Sequence, residues 1–184
     1  MALRRKGSYE LAVQRDLEAG VWMDVALKLD SKGLLGHDAG TLRLGQFKTP
    51  VGFDGVGASR NTPFLESALP VQVAYAGRRI GAEWSLQRPA WLASVGWFDG
   101  GDLEGANEGS TVAARAAWAP RKSAGDVLHL GIAGSRERPD SSPARMRARP
   151  EVGLTDVRLV DTGALAGVDA IRRVGLEGLW IHGP

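Results

Sequence analysis

Arg145, Arg147 and Arg149 fall at every second position of the stretch ARMRARPEVG, residues 144–153. In an extended chain, side chains two apart point the same way. One edge therefore carries three guanidinium groups, with Met146 and Ala148 on the other. Guanidinium stays charged and presents planar, paired N–H donors that match the oxygens of carboxylates and phosphates. That is the chemistry of holding an anion rather than of making or breaking a covalent bond. Like charges in a row repel, so the arrangement needs screening by water, by passing anions or by a carboxylate. Glu151 is close at hand.

The other chemistry-bearing residues point away from catalysis. With no cysteine among 184 residues, disulfides, thiolate metal sites and thiol nucleophiles are excluded. His37, His129 and His182 are too scattered for metal ligation and read as lumen or turn residues. GVGAS (55–59) lacks the strand–loop–helix setting and the Gly-Lys-Ser/Thr of a phosphate-binding loop. Asp99, Asp102, Glu104 and Glu108 match no calcium-loop spacing and read as a solvated loop. No nucleophile elbow or triad pattern is present. We expect no enzyme activity, no metal and no cofactor. A net charge of +2 does not indicate a nucleic-acid partner, despite a pI near 9.2.

The elements that must position these residues are strands, because the hydrophobic period is two almost throughout. In VWMDVALKLD, Val21, Met23, Val25, Leu27 and Leu29 share one face, and Trp22, Asp24, Ala26, Lys28 and Asp30 the other. AWLASVGWF sets Trp91, Ala93, Val95 and Trp97 against Leu92, Ser94, Gly96 and Phe98. TVAARAAWA opposes Val112, Ala114, Ala116 and Trp118 to Arg115, and VLHLGIAGS opposes Leu128, Leu130 and Ile132 to His129, Gly131 and Ala133. SYELAVQR, TLRLGQFKT, IGAEWSLQ and VGLEGLWIHG complete eight strands of about ten residues, near the length that crosses a bilayer at a tilt.

The connections alternate in length. Asp16–Gly20 and Ser31–Ala39 are moderate, Pro50–Gly77 is long, and Arg88-Pro89 is tight. Gly100–Gly109 is intermediate, Pro120–Gly125 short and Glu137–Ile171 very long, which places ARMRARPEVG in an external loop. Within Pro50–Gly77, NTPFLES predicts a short helix, with Thr62 as N-cap, Pro63 first and Glu66 in the first turn.

Alternating strands suit a soluble antiparallel β-sandwich as well as a membrane barrel. MALRRKGSYE lacks the apolar run of a signal peptide, and no stretch has the roughly 18 apolar residues of a helical span. A β-barrel escapes the second test, since its strands are only half apolar. Two details favour the membrane. The faces opposite the apolar ones are small and polar, as a wet lumen tolerates. Trp91 and Trp97 would sit about 20 Å apart along one face at the usual strand rise, a separation suited to two interfacial girdles.

The stretch Leu42–Gly81, LRLGQFKTPVGFDGVGASRNTPFLESALPVQVAYAGRRIG, resembles the phosphate-selective porin O and P family in its LGQFKTP strand end, its SRN…FLES loop and its GRRIG strand start. RARPEVGLTDVRLVDTG and the terminal LEGLWIHGP look similar too, and LRR…YELAV matches more loosely. The chain departs at Glu66-Ser67, where the family often has Glu-Arg near the constriction.

The resemblance implies an all-β fold: an antiparallel transmembrane β-barrel of sixteen strands, of which about eight, roughly half, are present. Residues 1–184 would form a partial porin barrel domain, a fragment or truncated product with two free edges, its loops 50–77 and 137–171 folding into the pore. It further implies a bacterial outer-membrane location with surrounding lipid, a homotrimer at full length, and passive diffusion of inorganic phosphate, polyphosphate or similar anions. The anion pathway would use Arg43, Arg60, Arg78, Arg79, Arg115, Arg145, Arg147 and Arg149, with Lys28 and Lys48 as weaker candidates. Adjacent Arg78 and Arg79 should not both face inward from an extended strand. The alternatives are a general outer-membrane porin without phosphate preference, or a soluble β-sandwich binding module.

Overall fold

The computed structural model describes residues 2–5, 7–52, 69–74, 77–106, 108–140, 143–148 and 157–183. Nine strands form one antiparallel sheet: β1 (Ala2–Arg5), β2 (Tyr9–Arg15), β3 (Trp22–Asp30), β4 (Thr41–Lys48), β5 (Arg78–Gln87), β6 (Trp91–Asp99), β7 (Gly109–Ser123), β8 (Asp126–Pro139) and β11 (Ile171–His182). Each strand pairs with its neighbour in sequence, except that β11 follows β8 across the longest connection. That connection holds a separate hairpin of β9 (Arg147–Ala148) and β10 (Val160–Asp161). Short helices α1 (Ser31–Leu35) and α2 (Leu69–Ala74) lie in loops. The sheet is open, with β1 and β11 as its edges.

All eight strands expected from periodicity are present, and β1 adds a ninth. β7 and β8 run further than their patterns suggest, to 15 and 14 residues, so Glu137 belongs to a strand and not to the long connection. Their register slips between Trp118 and Arg121. Pro120 lies in that interval, and a proline has no N–H to give the ladder.

The two rims differ. On one, the connections are 88–90, 124–125 and the α1 turn. Asp30 caps α1 by accepting from the Lys32 and Gly33 N–H groups at 2.9 and 3.3 Å, and Gly36 closes it with φ 78°. A Cβ at Gly33 would lie 1.4 Å from the Gly7 carbonyl oxygen, so only glycine lets the two turns touch. The opposite rim carries 49–77, 100–108 and 140–170. The loop 100–108 is tied back to the sheet there, Glu104 accepting from the Trp22 N–H at 2.9 Å and Gln46 from that of Leu103.

The faces decide between the two readings of the pattern. A register row runs Tyr9, Leu29, Leu42, Trp84, Val95, Ala114, Gly134, Val174 across eight strands. This apolar face is the exposed one: Val95, Trp97, Val112, Trp118, Ile132, Leu176 and Trp180 all stand open. A soluble sandwich would bury it. Here the buried face is instead the polar one, with a small apolar cluster of Ala26, Phe47, Val51, Phe98 and Ala113. Such inversion is the mark of a strand wall facing lipid.

Candidate functional site

One residue along from the apolar row lies its counterpart on the inner face: Glu10, Lys28, Arg43, Glu83, Gly96, Ala113, Ser135, Arg173. Charge and small size alternate along it. The small residues clear space for the large ones. The Phe98 ring lies where Cβ atoms of Gly81 and Gly96 would stand, each 2.7 Å from it, and meets Phe47 edge-on with centroids 5.3 Å apart. A Cβ at Gly131 would come 2.6 Å from Glu177 Oε2, so this glycine seats that carboxylate.

Three inner-face carboxylates each hold two basic side chains, an arginine pair at Asp24 and at Glu137 and an arginine with a histidine at Glu177. Asp24 accepts from Arg43 Nη2 and Arg78 Nε, both at 2.8 Å, and the Arg43 guanidinium also lies 4.3 Å over the Phe47 ring. Glu137 takes Arg79 on one oxygen and Arg173 Nη1 on the other, the latter at 2.6 Å. Glu177 binds Arg115 in a two-point fork at 2.8 and 2.7 Å and lies 3.1 Å from His129 Nε2. Arg79, on β5, reaches Glu137 on β8, and Arg115, on β7, reaches Glu177 on β11. The long side chains thus cross intervening strands on the inner face. Arg79 is almost wholly buried, at 1% exposure.

Arg43, Arg79 and Arg115 therefore stand on the inner face. The expectation that Arg78 and Arg79 could not both turn inward fails, because Arg78 is the first residue of β5 and swings from the strand end to Asp24. Arg145 and Arg147 project from the β9–β10 hairpin and are exposed. Arg60 and Arg149 lie outside the described residues, as do NTPFLES, GVGAS, the Glu66-Ser67 departure and Glu151.

The arginine row has its carboxylate. Asp161 stands opposite Arg147 in the hairpin register and accepts two hydrogen bonds from Arg145, that from Nε at 2.7 Å. Those bonds, and one from the Gly163 N–H at 2.9 Å, hold the Asp161 carboxyl well below the usual carboxylate range. The same pairing raises the Arg145 guanidinium.

The hairpin, α2 and loop 100–108 surround a cleft of about 540 Å³ at the long-loop rim. Gln72 and Val73 of α2 form one side. Arg145, Arg147 and Arg173 line it together with Glu108, Glu137 and Asp140. Nearby, Thr49 and Val51 at the start of loop 49–77 are buried against the sheet.

Sequence reasoning missed Asp24, Glu137, Glu177 and Arg173. The available signal was a lone acid on an otherwise small-residue inner face, as in LEG (176–178) and RER (136–138).

An antiparallel sheet that is apolar outside and charged inside is the wall of a transmembrane β-barrel. A family model described as "Phosphate-selective porin O and P" matches residues 6–184. The chain belongs to this family of outer-membrane porins, which are channels rather than enzymes. No curated protein matches the chain significantly.

Proposed function

We propose that this chain forms part of a bacterial outer-membrane pore for the passive diffusion of phosphate-class anions. The inverted register rows carry the reading: apolar side chains meet lipid on one face, and a charged, small-residue surface lines a water-filled passage on the other. In the assembled barrel, of sixteen strands and trimeric, the loops 50–77 and 140–170 fold inward and narrow the pore. Arg43, Arg78, Arg79 and Arg115 line the wall, while Arg145, Arg147, Arg149 and Arg60 serve the constriction. Each guanidinium replaces part of the hydration shell that an anion loses, and at Arg43, Arg78, Arg79, Arg115 and Arg145 a carboxylate partner keeps it from becoming a trap.

Replacing Arg145, Arg147 and Arg149 together with alanine should lower anion selectivity, read as a shifted reversal potential in planar bilayers under a salt gradient. An unchanged reversal potential would remove these arginines from the mechanism. A second reading, a general porin with no preference for phosphate over chloride, draws support from the carboxylates paired with Arg43, Arg78, Arg79, Arg115 and Arg145.

A further inference from the structure

The outer wall is not uniformly bulky. Across β6, β7 and β8 it holds an open groove of about 470 Å³, floored by Ala93 and Ala116 and walled by Trp91, Trp118, Leu130 and Ile132. The register makes the hollow: Trp91 stands opposite Trp118, and one row deeper the two alanines face each other beside Ile132. One row in the other direction, toward the rim of short connections, the same face turns polar. Counting by two from Trp118 would point Arg121 inward. The register slip at Pro120 reverses this and sets Arg121 opposite Leu128, on the outer face with Leu130. Trp180 flanks Leu128 in that row, and Ser123, Asp126 and His182 form the next. The Arg121 and Asp126 side chains are 51% and 37% exposed. Arg121 Nη1 and His182 Nδ1 lie 3.6 and 3.9 Å from Asp126 Oδ1, beyond hydrogen-bond reach. A charge on the lipid side of a barrel costs least at the interface, the level at which tryptophans collect, so this corner of the wall sits at headgroup depth.

We propose that this corner binds one phospholipid whose headgroup carries both a phosphate and a primary ammonium, of the phosphatidylethanolamine kind. An acyl chain lies in the groove over Ala93 and Ala116, Arg121 holds the phosphate, and Asp126 accepts from the ammonium. Guanidinium matches phosphate oxygens at two points, and a primary ammonium brings three N–H donors to the carboxylate. Leu128 and Ile132 are four residues apart, so the alanine floor begins about 13 Å below the Arg121 row, a span that the glycerol and upper acyl chain of one lipid bridge. The charges decide the headgroup. A purely anionic one would set its charge against Asp126 as well as Arg121, and a choline headgroup has no N–H to offer. The inference rests on this face meeting lipid and is independent of which solute the pore passes.

The test is native mass spectrometry of the detergent-purified protein, equilibrated with equal amounts of phosphatidylethanolamine, phosphatidylcholine and phosphatidylglycerol of identical acyl chains. Wild type should retain one phosphatidylethanolamine about tenfold more readily than either competitor, the scale of one charge-assisted hydrogen bond. Methylating the amine once and then twice should lower retention step by step. Asp126→Asn should lose most of the preference over phosphatidylcholine, and Arg121→Gln should weaken retention of both lipids together. Ala116→Leu, which fills the groove, should weaken all three, whereas Val95→Leu, outside it, should leave them unchanged. Equal retention of the three lipids by wild type, a preference for phosphatidylglycerol, or an Asp126→Asn protein with the wild-type ratio would overturn the site and leave the porin reading intact. Should Asp126→Asn not fold, the methylated lipids on wild type decide, and retention that ignores methylation overturns the proposal. An Ala116→Leu protein that breaks an assembly of copies while its lipid retention stays constant would make the groove a subunit interface, and that too would overturn it.

Discussion

The row Tyr9–Leu29–Leu42–Trp84–Val95–Ala114–Gly134–Val174 and the row Glu10–Lys28–Arg43–Glu83–Gly96–Ala113–Ser135–Arg173 are separated by one residue on every strand. One contains no charge, and the other contains five charged side chains. A one-residue slip in register would exchange them wholesale. The contrast teaches that this sheet buries few apolar side chains against each other, the cluster around Phe47 and Phe98 apart, where a soluble sheet would bury a whole face. Its apolar face stands exposed, and its polar face is held by ion pairs, some of which cross one or two intervening strands.

The largest effect should come from breaking one of those pairs. Arg79→Ala leaves Glu137 buried with only Arg173, and losing one partner of a buried ion pair costs about 3–5 kcal/mol. Urea unfolding from lipid vesicles should show it, and a midpoint within error of wild type would mean the inner face is wet enough to hold its charges unaided.

A smaller effect separates the rows themselves. Val95→Arg puts a charge on the lipid side midway along β6, where the penalty in membrane barrels is about 2–4 kcal/mol. Gly175→Arg puts the same group on the inner side of β11, where a Cβ has open space, and should change stability far less. Equal losses would erase the distinction between the faces.

The smallest effect belongs to the hairpin, whose pair is exposed to water. Asp161 has its folded pKa depressed, so its contribution is fully present above the unfolded value of about 4 and disappears as pH falls through the folded one. Hydrogen-exchange protection at the Thr162 amide, which bonds to the Met146 carbonyl at 3.0 Å, should persist from neutral pH down to about 4 and fade only in stronger acid. Fading between pH 6 and 5 would implicate a different group.

The strands were legible because period-two patterning survives whichever face is buried; Val112, Ala114, Ala116 and Trp118 alternate with Arg115 in either architecture. Which face looked outward was not legible from the pattern itself, and only the small and polar character of the opposite face hinted at it. Arg115 could be placed by parity, whereas Arg78, at a strand end, escaped it. The carboxylate partners could not be placed so, because Arg79 and Glu137 are 58 residues apart on strands that are not neighbours. They meet through curvature of the sheet, which no local window encodes. The hairpin was missed for a related reason: Arg147–Ala148 is too short to show a period, and its partner Val160–Asp161 is equally brief.

The orientation of the two faces is the central claim, and the absence of cysteine makes it directly measurable. Single cysteines at Val95, Ala114 and Leu130, and at Glu10, Lys28 and Gly175, can each carry a spin label in the membrane-reconstituted protein. The first three labels should be relaxed by oxygen dissolved in lipid, and the second three should be screened from it and reached by a small water-soluble reagent. Labels at Val95 and Ala114 that prefer the water-soluble reagent, or two sets that cannot be told apart, would contradict the account.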